Sequence, residues 1–439
     1  MQNPRQLAFE ALLKTEKDGA YSNIALDSLL SKTDCDTRDK AFVSNLFYGV
    51  IERKLTLDYQ INLYTNKPLK KIKSDVLTIL RIGAYQILFM DKVPSSAAVN
   101  ESVNLSKKNS LSYASGLVNA ILRQISKNGL KLPGNEDSVE YLSIKYSCPE
   151  WLINKWIKEY GKEATEGILS ETLKPCRNYI KVNNTLTDAD TLTDILKTEG
   201  VTASETNWKN CLEITLGGKS IELLQSFKKG YFHVQDAACQ ICANALDAKE
   251  GDRVFDLCAA PGGKSYTIAE CMNNIGEVLS FDIHEHRVAL IKNGADRLNL
   301  SCVKALNGDA LEFNEELNQA DAVLCDVPCS GLGIIGRKPE IKYKNPDEIK
   351  QLPALQLQIL LNGAKYVKAG GRLVYSTCTL SHSENEKVCR RFLESRTDFR
   401  SAPVKGINTE AGFVTLLPHI NKTDGFFIAC FERIQPNEN

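Results

Sequence analysis

The sequence predicts an α/β protein: a doubly wound parallel sheet in the second half, preceded by an all-helical module and a small mixed α+β segment. Three observations predict it. Apolar residues recur at helical spacing through residues 1–130. Short runs rich in Val, Leu and Phe alternate with helical segments from residue 236 onward. A stretch rich in Gly, Pro, Asn and Asp at 131–148 stands between the two. The 439 residues, at 43% hydrophobic and 25% charged, can bury several cores, which argues against disorder. Lys+Arg and Asp+Glu are equal at 54 each, so net charge indicates no partner. The balance hides an asymmetry, because residues 1–130 hold 18 basic against 12 acidic residues. No run of about 18 apolar residues occurs, so no membrane span is expected. The start, MQNPRQLAFEALLK, has no signal-peptide core, and the 14 scattered cysteines read as reduced thiols of a cytoplasmic protein.

In chain order, Phe42, Val43, Leu46, Phe47 and Val50 form one helical stripe, and Val76, Ile79, Leu80, Gly83, Ala84, Ile87 and Leu88 a second. Pro94-Ser95-Ser96 opens another helix, with a serine available as cap. The small residues of YASGLVNAILR suggest a closely packed last helix. Lys67, Lys70, Lys71 and Lys73 form the densest basic run, either a solvated face or a phosphate contact. In 149–235, WLINKWIKEYG and LTDADTLTDILKTEG read as helices, IKVNN and CLEITL as strands. The expected domains are 1–135, 149–235 and 236–439.

From residue 236, RVFDLCA, EVLSFDI, AVLCDVP and GRLVYSTC read as buried parallel strands. Lys264–Met272, His284–Leu298 and Asp347–Val367 read as the intervening helices. Ligands of such sheets bind beyond the carboxyl ends of the strands. The first strand runs into DLCAAPGGKS, where Gly262 and Gly263 let a ligand approach the backbone and the next helix offers free N–H groups. It is not a P-loop, since Cys258 stands where the first Gly belongs. GLGIIG at 331–336 matches a dinucleotide pattern, but RKPEIKYKNP follows instead of a helix. Asp282 ends the second strand, where a carboxylate can accept from both hydroxyls of a ribose. Asp309 is placed to reach an adenine amino group, with a capping role as the alternative. Cys329 and Cys378 leave the tips of the fourth and fifth strands, which should be neighbours. Each is either a small buried hydrophobe or a reactive group. Cys239 and Cys242 lie one helical turn apart with no second pair at zinc spacing, so no metal is expected.

RQLAFEALLK, RDKAFVSNLFYGVIERK, LRIGAYQILFMDKVPSSAAVNESVNLSKK and SGLVNAILR resemble the NusB-like RNA-binding fold. DLCAAPGGKS, DVPCSGLG and YSTCTLSHSENE, with KVNN, HVQDAACQ and DGFFIACFER, resemble the S-adenosylmethionine-dependent RNA cytosine-C5 methyltransferases. Together they resemble the bacterial RsmB (Sun/Fmu) family. The resemblance implies a Rossmann-like methyltransferase domain that modifies one cytosine of 16S ribosomal RNA, a cytosine(967)-type site. It assigns the nucleophile to Cys378 and product release to Cys329. It implies that Asp326 hydrogen-bonds the cytosine edge, and that Cys258, Ala259, Ala260, Pro261, Gly262, Gly263 and Lys264 cradle the methionine part of S-adenosylmethionine. Asp326 would also lie against the cofactor and pair with Lys264. Lys181 and Gly336 depart from the family's basic residues, in segments expected to face RNA. A monomer acting on naked or early-assembly ribosomal RNA is expected, because the target base must be unstacked. Two rival readings are a tRNA cytosine-C5 methyltransferase and a non-catalytic RNA-binding assembly factor.

Overall fold

A computed structural model describes residues 3–18, 26, 28–30, 33, 35–317, 319–407 and 412–435. The chain divides into two units, Met1–Lys174 with Ile335–Lys344, and Pro175–Ile334 with Asn345–Asn439.

The first unit is helical throughout its described residues. Its core is organised around the helix Ser74–Phe89, which buries Val76, Ile79, Leu80, Gly83 and Ala84 as the stripe requires. Thr78, Arg81, Ile82, Tyr85 and Gln86 are buried as well. This helix is therefore enclosed on most sides, and the stripe understates its burial. The Arg81 guanidinium is enclosed only because Asp58 accepts from both Nε and Nη2, at 2.6 and 2.9 Å, and Glu16 from Nη1; a buried charge must be paired in this way. Gly83 is a point of close approach between helices. A Cβ there would lie 2.4 Å from Leu122 Cδ1 and 2.7 Å from Ser102 Oγ. The helix Ser95–Lys108 follows Pro94, but no side chain caps it; the fixed φ of Pro94 sets the start instead of a serine. Lys67, Lys70, Lys71 and Lys73 are exposed around the short turn Leu69–Lys71.

The helices Glu150–Tyr160 and Lys162–Glu171, grouped by sequence with the mixed segment, cluster with this helical unit. They pack with Val139–Tyr146, which in turn packs on Lys54–Asn62. Trp156, Leu152 and Ile153 are fully buried. Residues 335–344 also fold here: Lys342 Nζ donates to Glu52 O at 2.7 Å and Tyr343 OH to Ile51 O at 3.1 Å. Burial pushes the Lys342 ammonium down to about 8.

The second unit carries two sheets. β1 (Asn178–Val182), β2 (Thr202–Glu205), β3 (Cys211–Thr215) and β4 (Phe232–Val234) form an antiparallel sheet in the order β2-β3-β1-β4. The helix Ala189–Thr198 is capped by Asp188, which accepts from Thr191 N, and Gly200 ends it at φ +70°. The larger sheet contains β5 (Arg253–Asp256), β6 (Glu277–Asp282), β7 (Val303–Asn307), β8 (Ala320–Asp326), β9 (Val367–Thr377), β10 (Phe399–Ser401), β11 (Phe413–Leu416) and β12 (Phe426–Arg433). Its order is β10-β12-β9-β8-β5-β6-β7, with β11 beside β12. β5 to β9 pair in parallel, and β12 pairs antiparallel with β9. The sheet is thus Rossmann-like with an antiparallel edge. The helix expected over 347–367 is broken into Pro346–Ile349 and Leu352–Tyr366, because Pro353 fits only the first turn of a helix.

Candidate active site

Register places the chemistry. Asp326, the last residue of β8, pairs with Ser376 of β9. The two strands therefore release their loops side by side, as neighbouring parallel strands must. Cys329 and Cys378 lie in those loops with their sulfurs 3.2 Å apart, both half-buried. A thiol at this distance can share its proton with its neighbour. The S–H of Cys329 lowers the pKa of Cys378 below the ordinary thiol value, despite burial and Asp326; the nearby Lys264 charge acts in the same sense. The Cys329 thiol is driven well above it, by its bond to Cys378 and by burial. The pair is therefore polarised, with Cys378 the better thiolate and Cys329 the proton holder.

Asp326 is fixed from two sides. Lys264 Nζ donates to its Oδ2 at 2.6 Å and Ser376 Oγ to its Oδ1 at 2.7 Å. Burial alone would discharge Lys264, but the carboxylate raises its pKa well above the usual lysine value. Lys264 is the second residue of the helix Gly263–Cys271 and ends the segment Cys258–Lys264 that leads out of β5. Gly262 adopts φ +111°, and a Cβ there would run into the Tyr266 ring, 2.3 Å from its hydroxyl oxygen. Ala259 N donates to Phe281 O at 2.8 Å, which ties the loop to β6. Ser265, the serine of the P-loop-like GGKS, donates to Asp256 Oδ2 at 2.7 Å. Its hydroxyl is spent under the loop.

Asp282 is buried at the tip of β6, with one oxygen accepting from His284 N at 3.0 Å and the other 3.1 Å from Arg287 Nη1. Arg287 also donates to Ala260 O at 3.0 Å, joining the first loop to the second strand tip. Asp309 accepts from Leu311 N at 2.9 Å, so it does cap the turn that follows β7. It also lines a cavity of about 430 Å³ together with Leu257, Phe281 and Gly308. Ile283, directly after Asp282, is 55% exposed, an apolar side chain left at the strand tip.

These features fit S-adenosylmethionine. The helix Gly263–Cys271 starts with no side-chain cap, leaving N–H groups free for a carboxylate. The loop before it passes through a glycine with no room for a side chain. A buried carboxylate stands at the next strand tip.

Sequence reasoning missed Ser376, Arg287 and Glu384. Ser376 and Glu384 lie inside quoted motifs, so their position was legible and their partners were not. GLGIIG also finds its use. Gly333 N donates to Cys378 O at 2.9 Å, and a Cβ on Gly333 would lie 1.9 Å from Gly425 O. The glycine is needed for backbone packing beside Cys378. Lys181 is held inside the fold. It is 2% exposed, 3.1 Å from Glu270, and donates to Val182 O at 2.9 Å; a buried ammonium in β1 needs that carboxylate.

The chain is similar along nearly its full length to curated small-subunit ribosomal RNA methyltransferases. The protein described as "Probable ribosomal RNA small subunit methyltransferase B" of Bacillus subtilis (strain 168) is 38% identical, over 98% of both chains. The chain belongs to the ribosomal RNA small subunit methyltransferase B family. A second relative of this family, from Proteus mirabilis (strain HI4320), is 31% identical over 98% of this chain and 99% of its own. The model of the 16S rRNA methyltransferase RsmB/F family matches residues 243–432, that of the NusB family 2–127, and that of the RsmF/B-like ferredoxin-like domain 148–217. The crystal structure of PH0851 superposes with a TM-score of 0.82 at 28% identity, over 99% of each chain. The fold of NSun6 from Pyrococcus horikoshii, solved with SFG, matches with a TM-score of 0.59 at 23% identity, over 65% of this chain and 98% of that one. As a methyltransferase B family member, the protein is S-adenosylmethionine-dependent. No described helix is long and apolar enough to cross a membrane.

The carboxyl of Asp256, which accepts from Ser265, yields a stability prediction. It is fully buried, and burial raises its pKa from 3.8 to about 7. A carboxyl raised in the folded state contributes stability that is complete below its unfolded pKa and lost as pH rises through the folded one. Asp256→Asn is expected to gain on the native protein between pH ~4 and ~7, by on the order of 4 kcal/mol at most, and to run parallel above that. Urea midpoints of the two proteins across this range check it; a constant difference would contradict it.

Proposed function

We propose that the protein methylates carbon 5 of one cytosine in 16S ribosomal RNA, a cytosine(967)-type site, through a transient bond between Cys378 and ring carbon 6. The observation that carries this reading is the pair of thiols, 3.2 Å apart, beside the Lys264–Asp326 pair.

Carbon 5 of cytosine is a poor nucleophile. Addition of the Cys378 thiolate to carbon 6 breaks the ring conjugation and moves electron density onto carbon 5. S-adenosylmethionine, when bound, supplies the electrophilic methyl group that carbon 5 takes up. Once addition at carbon 6 makes N3 basic and N3 takes up a proton, the Asp326 carboxylate would accept that N3–H and stabilise the adduct. After transfer, water takes the carbon-5 proton, the C–H electrons re-form the 5,6 double bond, and the carbon 6–sulfur bond breaks with its electrons returning to Cys378; Cys329 is assigned to this release. Residues Cys258 to Lys264 would hold the methionine portion, Asp282 the ribose hydroxyls, and Asp309 the adenine amino group. The target base must leave its stack to reach Cys378, which favours naked or early-assembly RNA.

Small-subunit RNA and tRNA transcripts, incubated with the enzyme and S-adenosylmethionine and then mapped by bisulfite sequencing, test the substrate. Protection of one cytosine in the ribosomal transcript alone is expected. Protection only in tRNA would assign the alternative substrate, and protection in neither would remove cytosine C5 chemistry.

A further inference from the structure

The segment after Cys378 folds back on it. Glu384 N and Asn385 N both donate to Ser381 O, at 2.9 and 3.1 Å, closing a turn. Asn385 Nδ2 donates to Thr379 O at 2.9 Å and Tyr375 OH to Glu384 O at 2.5 Å. Thr377, Thr379, Ser381, Glu384 and Asn385 are all fully buried. The Glu384 carboxylate is thus taken out of water, which costs several kcal/mol unless every lone pair finds a donor.

Those donors come from both cysteine loops. Ser330 N donates to Oε2 at 2.8 Å and Ser330 Oγ to Oε1 at 2.7 Å. Thr379 Oγ1 lies 3.4 Å from Oε1 and 2.7 Å from Ser330 Oγ. Gln356 Nε2 donates to Oε2 at 3.1 Å and also to Pro328 O at 3.0 Å. Ser330 follows Cys329, Pro328 precedes it, and Thr379 follows Cys378. One carboxylate therefore joins the immediate neighbours of both sulfurs.

We propose that Glu384 is a positioning residue for the reaction: its carboxylate locks the Cys329 loop to the Cys378 loop and so sets the separation of the two sulfurs. The proposal deepens the covalent reading given above and rests on it. Glu384 does not touch the reacting atoms. It also places a negative charge near Cys329, a smaller contribution to that thiol's raised pKa than its hydrogen bond to Cys378 and burial. A glutamine at 384 can keep the geometry, because its oxygen can take the Ser330 N and Gln356 Nε2 donors. Its amide N–H groups can then face the two hydroxyls, which accept as well as donate.

Glu384→Ala and Glu384→Gln test this with three readouts. S-adenosylmethionine titration by calorimetry reports the cofactor site. Single-turnover methylation of the ribosomal transcript reports the chemistry. Diamide, which takes two electrons and two protons from a pair of thiols, reports how closely the sulfurs are held, read as the Cys329–Cys378 linked peptide. Glu384→Ala is expected to bind the cofactor within about twofold of the native protein, to methylate about 100-fold more slowly, and to form the disulfide at least tenfold more slowly. Glu384→Gln should recover the disulfide rate and most of the methylation. Native rates in Glu384→Ala overturn the proposal, as does a Glu384→Gln variant no better than alanine. If Glu384→Ala does not fold, Ser330→Ala with Thr379→Val cuts the same tie from the other end and is held to the same outcomes. The disulfide rate needs no RNA. A native protein that fails to methylate therefore sinks the functional reading, while an unchanged disulfide rate sinks the positioning role alone.

Discussion

Cys378→Ala is expected to abolish methylation and leave no covalent protein–RNA species, and Cys329→Ala to accumulate one. This is the largest expected effect. In the proposed mechanism the sulfur of Cys378 supplies the bond without which carbon 5 does not react, so its loss should cost at least four orders of magnitude, the scale seen when a covalent nucleophile is removed. The two cysteines are not interchangeable although their sulfurs are 3.2 Å apart. The Cys329 proton polarises the pair toward a Cys378 thiolate. With Cys329 removed, addition can still occur, but the group assigned to release is gone and the adduct persists. Denaturing gels of labelled RNA with each variant check this. An adduct in Cys378→Ala and none in Cys329→Ala would reverse the roles.

Lys264→Met is expected to lower methylation at neutral pH by about 100-fold and to move the acid limb of kcat/KM to higher pH. Two effects add. Asp326 loses the ammonium at 2.6 Å and becomes a half-buried carboxylate held only by Ser376, a loss on the order of 3 kcal/mol for a broken pair of this kind. Cys378 loses a positive charge that lowers its pKa, while Asp326, which raises it, remains. The thiolate fraction at neutral pH therefore falls, and raising the pH restores part of it. The rate of iodoacetamide alkylation of Cys378 against pH gives the same answer without RNA. An unchanged alkylation profile would show that Lys264 serves the cofactor loop alone.

The strand-tip logic was legible because it depends on local patterning. RVFDLCA, EVLSFDI, AVLCDVP and GRLVYSTC are buried parallel strands, and their alternation with helices dictates a rim on which Cys329 and Cys378 meet. The antiparallel edge was not legible, since DGFFIACFER carries no mark of its pairing partner and only β9 at positions 372–377 supplies it. The glycines of GLGIIG illustrate the same limit: the pattern is local, but the reason for Gly333 is the backbone of Gly425 across the fold. The burial of Lys181 was not legible because its partner Glu270 lies 89 positions away.

By itself, the sequence determined the order of helices and strands, the loop that suits a nucleoside-bearing cofactor, and the identity of the two cysteines. These follow from periodicity, glycine freedom and residue chemistry, which act over a few positions. Only the tertiary structure decided how closely the two sulfurs approach, that Ser376 holds the second oxygen of Asp326, and that Glu384 holds two distant loops together. Those outcomes depend on distances between residues far apart in the chain, and burial sets the strength of each charge and hydrogen bond among them.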